Sequence, residues 1–133
     1  MSLIKIIDHI NVQVPSAAEA EAKRFYGQVL GMTEIVKPDN LGRRGAHYRV
    51  CAESSQELHL GIASADDAAN NLRLQRHIGF QVYDLKAARQ AIEDAGFEIE
   101  DAEAVRSEAR NFALKRFFVR DPGGNRLEIM ECR

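Results

Sequence analysis

His9-Ile10-Asn11-Val12-Gln13-Val14 returns 68 residues later as His77-Ile78-Gly79-Phe80-Gln81-Val82, and this echo decides the reading of the chain. Each stretch alternates polar and apolar residues, the pattern of a half-buried strand. Each is followed by a helical pattern that closes on glycine. After the first, Pro15 ends pairing, Ser16 and Glu19 have the spacing of a capping box, and Ala18, Ala22, Phe25, Tyr26, Val29 and Leu30 recur at three- and four-residue spacing up to Gly31. After the second, Asp84 is the expected N-cap, Leu85, Ala88, Ile92 and Ala95 mark one helical face, and Gly96 closes it. The spacing predicts a helix over about 17–30.

Further along, Leu58-His59-Leu60 answers Leu127-Glu128-Ile129 at an interval of 69 residues, so the register survives through whole supersecondary units. Strands are expected over 5–14, 33–37, 47–52 and 56–62 in the first half, and over 76–82, 97–100, 115–120 and 126–131 in the second. The polar stretch 63–76 reads as the connection, and Asp121-Pro122-Gly123-Gly124-Asn125 as a tight turn. The result is one α+β domain over residues 1–133, with module one at about 4–62 and module two at about 76–132.

Bulk composition narrows the function. A chain of 133 residues with 45% hydrophobic and 29% charged residues is an ordinary globular domain. A formal charge of −2 gives no basic field for nucleic acid or an anionic membrane. Two cysteines, Cys51 and Cys132, match neither a zinc knuckle nor a CxxC pair and suit a reducing compartment. No apolar run reaches the roughly 20 residues of a membrane span, and no secretory pattern opens the chain, so cytoplasm is the expected address.

Alternation places Ile10, Leu58, Leu60, Ile78, Leu127 and Ile129 on helix-covered faces, which sends His9, His59, His77 and Glu128 to the opposite ones. A lone strand histidine is usually structural, and a glutamate between two apolar residues is usually a solvated outward side chain. Three of the chain's four histidines at repeat-equivalent positions, with a carboxylate at the fourth, are harder to dismiss. The expectation is one divalent metal, Zn, Ni, Mn or Fe, held by His9, His59, His77 and Glu128 in a concavity shared by two polar faces. His47 has no repeat partner and reads as structural or pocket-lining. Asn11, Gln13 and Gln81 share the ligand faces and are candidate substrate contacts, as is Arg116. Arg43, Arg44, Arg73, Arg76, Arg110, Lys115 and Arg116 fall in or beside loops and could favour an anionic substrate.

Asp8-His9-Ile10, Phe25-Tyr26 to Leu30-Gly31-Met32, His77-Ile78 and Asp121-Pro122-Gly123-Gly124-Asn125-Arg126-Leu127-Glu128 together resemble the vicinal oxygen chelate superfamily of glyoxalases, extradiol dioxygenases and bleomycin-resistance proteins. The resemblance covers nearly the whole chain. It implies two βαβββ modules forming an open cupped mixed sheet, with helices on the outer face, and a metal acting as Lewis acid on a substrate that chelates through adjacent oxygens. His9, His77 and Glu128 fall on the positions most often used as ligands. His59 stands where glyoxalase I enzymes carry Glu, a departure from a lactoylglutathione lyase. Three functions follow: a glyoxalase-like lyase, isomerase or transferase with Glu128 as proton acceptor, an Fe(II) extradiol dioxygenase, or a non-catalytic small-molecule binder. A full ligand set favours a metalloenzyme. Family habit also implies a homodimer.

Overall fold

A computed structural model describes residues 1–107 and 112–132. Contacts divide the chain into two compact units, Met1–Ala68 and Ala69–Arg133.

In unit one, β1 (His9–Pro15), β2 (Thr33–Ile35), β3 (Ala46–Arg49) and β4 (Glu57–Ala63) form a mixed sheet in the order β1-β4-β3-β2. β1 runs parallel to β4, and the other pairs are antiparallel. The expected strand from Lys5 begins only at His9, leaving Ile4, Ile6 and Ile7 exposed. Pro15 ends β1 rather than standing outside it, which an edge strand tolerates because one side of the backbone needs no donor.

The first helix is less regular than its spacing suggests. A 3-10 turn at Ser16–Ala18 leads into α1 (Glu19–Arg24), which widens into a π turn at Phe25–Val29. Gly31, at φ 74°, provides the expected left-handed stop. No capping box forms, because both residues are drawn to the loop before β3. Glu19 accepts the Gly45 N–H at 2.8 Å and Arg44 Nη2 at 2.9 Å, and Ser16 Oγ accepts from Arg44 at 2.5 Å. Gly45 is required there, since its φ is +74° and a Cβ would lie 2.0 Å from the Leu60 carbonyl oxygen. The core sits where Val12, Val14, Tyr48, Leu58 and Leu60 meet Ala22, Phe25, Tyr26 and Met32, all buried. Burial drives the Tyr48 phenol up to about 12, with help from Glu34.

The polar connection holds α2 (Ala65–Ala68) and a 3-10 turn at Ala69–Leu72. Unit two follows with β5 (His77–Gln81), α3 (Leu85–Asp94), β6 (Ile99–Asp101), β7 (Val105–Ser107), β8 (Phe112–Arg120) and β9 (Arg126–Cys132). Its sheet runs β5-β9-β8-β6, and β7 pairs with β8 as an addition the alternation did not reveal. β5 is parallel to β9, repeating the β1–β4 relation. Asp84 caps α3 as expected, accepting the Ala87 N–H at 2.9 Å. α3 lies against β6 and β9, burying Ile92 on the side of Phe117, Val119, Leu127 and Ile129. In the tight turn, Asp121 Oδ1 accepts the N–H groups of Gly123 and Asn125, each at 2.9 Å.

The architecture is therefore α+β, two βαβββ modules each with its own mixed sheet. Among the described residues no helix is long and apolar enough to cross a membrane.

Candidate functional site

In unit one the face of the sheet away from α1 carries His9, Asn11, Gln13, His47, Glu57 and His59. Parallel pairing sets Asn11 opposite His59, and antiparallel pairing sets His47 opposite it from the other side. The three imidazoles stack. His59 lies between His47, with ring centroids 3.6 Å apart and planes within 2°, and His9, 4.1 Å away at 13°. Acidic neighbours orient two of the rings. Asp8 Oδ2 lies 2.8 Å from His9 Nδ1, and Glu57 Oε1 lies 3.0 Å from His59 Nε2. Because a carboxylate only accepts, the first contact puts a proton on Nδ1 of His9 and turns Nε2 outward, the arrangement a metal-binding imidazole needs.

His47 is the surprise, buried at 8% exposure. Desolvation holds its imidazole below the usual histidine range, and His59 pushes the same way. His47, Glu57 and His59 each offer a ligand atom, all within 4.8 Å of one another, so this group could hold a divalent ion. Parallel stacked rings aim their lone pairs side by side, so a shared ion would require a ring to turn. Alternation through Ala46–Arg49 already put His47 opposite Tyr48; what the sequence lacked was the β3–β4 register that aligns it with His59.

In unit two the matching face carries His77, Gly79, Gln81, Arg116, Phe118, Arg126 and Glu128. Gly79 lies opposite Glu128 on one side and Phe118 on the other. His77 Nε2 is 2.9 Å from Glu128 Oε2, while its Nδ1 is 3.1 Å from the Gln75 carbonyl. Both the carbonyl and the carboxylate only accept, so with Nδ1 donating to the carbonyl the Nε2–carboxylate contact needs either a second proton on the ring or a cation between the two atoms. A separation near 2.9 Å also suits two neighbouring donors on an ion bound at about 2.0–2.2 Å, so the pair fits a divalent metal. Glu128 itself is buried at 8% exposure, unlike an ordinary outward glutamate. Arg116 Nη1 approaches its other oxygen at 3.4 Å.

The structure thus groups His9 with His59, and His77 with Glu128 and Arg116, each set within its own unit. Asn11 and Gln13 lie on the first polar face, and Gln81 on the second. Of the basic residues named from sequence, Arg44 is tied to Ser16 and Glu19; Arg43, Arg73, Arg76 and Lys115 are exposed; Arg110 lies outside the described residues. Phe118 and Arg126 were not singled out, although both alternate onto the face of Glu128.

The model of the glyoxalase/bleomycin resistance protein/dioxygenase superfamily matches residues 6–129. The chain belongs to this superfamily. A glyoxalase family protein of known structure from Bacillus anthracis is 34% identical over 100% of this chain and 99% of its own, with a TM-score of 0.77. TnmS3, an antibiotic binding protein from Streptomyces sp. CB03234, shares the fold at 13% identity, covering 100% of both chains with a TM-score of 0.73. A glyoxalase family protein from Enterococcus faecalis is 20% identical over 98% of this chain and 100% of its own, with a TM-score of 0.66. A search of the curated proteins found no match.

Proposed function

We propose that this superfamily member is a metal-dependent enzyme, a glyoxalase-like lyase, isomerase or transferase, whose small substrate chelates through adjacent oxygens. The proposed ligands are His77 and Glu128 in unit two, with His9 and His59 as their counterparts in unit one. The observation that carries the reading is the buried Glu128 carboxylate facing His77 Nε2 at 2.9 Å, with the imidazole oriented through its other nitrogen. The repeat supports extending it, because His9 and His59 occupy the same register positions on β1 and β4 as His77 and Glu128 on β5 and β9. When bound, the metal would supply Lewis acidity to the substrate oxygens. The chain's own contribution is a carboxylate, Glu128, able to accept a substrate proton. Arg116 and His77 flank its two oxygens and hold it in place.

Elemental analysis of protein purified without chelators, then assays with 2-oxoaldehyde thiol adducts, catechols and epoxides, tests the reading. About one metal per chain is expected, with affinity falling roughly 10-fold or more in His77→Ala and Glu128→Gln. No stoichiometric metal in the parent would remove the metalloenzyme.

A second reading rests on the compact His47, Glu57 and His59 group. If that group is the metal site, His47→Ala loses the ion and His77→Ala keeps it. Small-molecule binding without catalysis would show as ligand affinity without turnover; TnmS3 is described as an antibiotic binding protein.

A further inference from the structure

On the polar face of unit two, Phe118 is surrounded by cations. The Arg126 guanidinium lies 3.7 Å from the ring centroid and that of Arg116 lies 5.2 Å from it. The His77 ring meets its edge at 5.4 Å, nearly perpendicular at 85°. Strand register explains the gathering. Phe118 pairs with Glu128, Arg116 stands two residues away on β8, and Arg126 two residues away on β9.

Both guanidiniums are partly withdrawn from water, with side-chain exposures of 24% for Arg116 and 15% for Arg126. Arg126 is loosely paired, reaching Glu100 at 3.4 Å and Gln75 Oε1 at 3.3 Å, while Arg116 donates its Nε–H to the Glu103 carbonyl at 3.1 Å and reaches Glu128 only at 3.4 Å. Charge-assisted bonds to guanidinium normally close to about 2.7–2.9 Å. The contact with Phe118 uses the face of each guanidinium and so consumes none of its N–H donors, leaving those not already bonded to Glu103, Glu128, Gln75 or Glu100 for a ligand. Beside them opens a cavity of about 380 Å³, lined by Phe118, Arg120, Arg126, Glu98 and Glu100 among others. Arg120 is committed, donating to the Asn71 carbonyl at 3.2 Å and the Gly124 carbonyl at 2.9 Å. Glu98 and Glu100 are exposed, and water and salt screen an exposed carboxylate more than they screen a half-buried guanidinium.

We infer that Arg116 and Arg126, stacked on Phe118, form a recognition site for a carboxylate or similar planar oxyanion on the substrate. The inference rests on the reading of this polar face as the substrate face. It narrows the substrate to small molecules carrying an anionic group in addition to their chelating oxygens. Arg126 is the specificity-determining residue because it lines the cavity, whereas Arg116 also braces Glu128.

The test uses the full chain stripped of metal, with benzoate and its neutral counterpart benzamide as probes, followed by NMR. Benzoate should shift the Arg126 Nε–H and Phe118 ring signals and bind about 10-fold more tightly than benzamide, because only a carboxylate accepts two parallel guanidinium bonds. Arg126→Gln should abolish that preference, and Arg126→Lys should retain part of it. Arg89→Gln, on α3, should change nothing. Equal affinity for the two probes overturns the inference, as does a benzoate preference that survives Arg126→Gln. Metal-free protein keeps the outcomes separate: benzoate selectivity in a chain that never takes up metal would leave the anion site standing and remove only the metalloenzyme.

Discussion

Overlaid by register, the two modules keep one face alike and let the other diverge. Toward the helices, Leu58 and Leu60 of the first match Leu127 and Ile129 of the second, all buried. On the opposite face, His9 matches His77, but His59 is answered by Glu128 and His47 by Phe118. The first module therefore presents three stacked imidazoles with its carboxylates at the margin, the second a central carboxylate between an imidazole and arginines stacked on a phenyl ring. A packed interior accepts few shapes, whereas a face that meets water or ligand can exchange its chemistry at little cost to the fold. The same frame occurs twice, and its two polar faces carry different chemistry.

The largest effect should come from the shared face. Leu58→Ala and Leu127→Ala, both at 0% exposure, should each cost about 3 kcal/mol in urea unfolding. A cost under about 1 kcal/mol at one site alone would break the equivalence of the two cores.

A smaller effect separates the helix starts. Asp84 caps α3 and Ser16 caps nothing, so Asp84→Ala should lose about 1 kcal/mol and Ser16→Ala about 0.5 kcal/mol or less. Equal losses in thermal unfolding would restore the capping box that the spacing suggested.

The smallest effect depends on pH. In module one the Gly45 N–H, then Arg44, hold the Glu19 carboxyl below its ordinary value of 4.5. A lowered folded-state pKa contributes stability that is present above pH 4.5 and lost as pH falls through the folded value. Glu19→Gln should accordingly be less stable than the parent at pH 7, with the gap closing on acidification below pH 4.5. A gap independent of pH would show that the carboxylate's charge is not what holds the loop before β3.

Much of the fold was legible because it depends on local periodicity. Alternation put His9, His59, His77 and Glu128 opposite their apolar neighbours, Asp84 and Gly31 marked helix limits, and the 68- and 69-residue intervals disclosed the duplication. The spacing of Ser16 and Glu19 was misleading for the same reason: it is local, and Arg44 and Gly45 compete for both side chains from 25 or more residues away.

By itself, then, the sequence determined which residues share a face of each sheet, since side-chain direction follows from strand period alone. Only the tertiary structure decided who meets whom across strands. The stacks of His9 and His47 on His59, the meeting of His77 with Glu128, and the placement of Arg126 over Phe118 depend on register between separate strands. Register is set by turns and by packing of the opposite, apolar face, and neither can be read from the residues that it brings together.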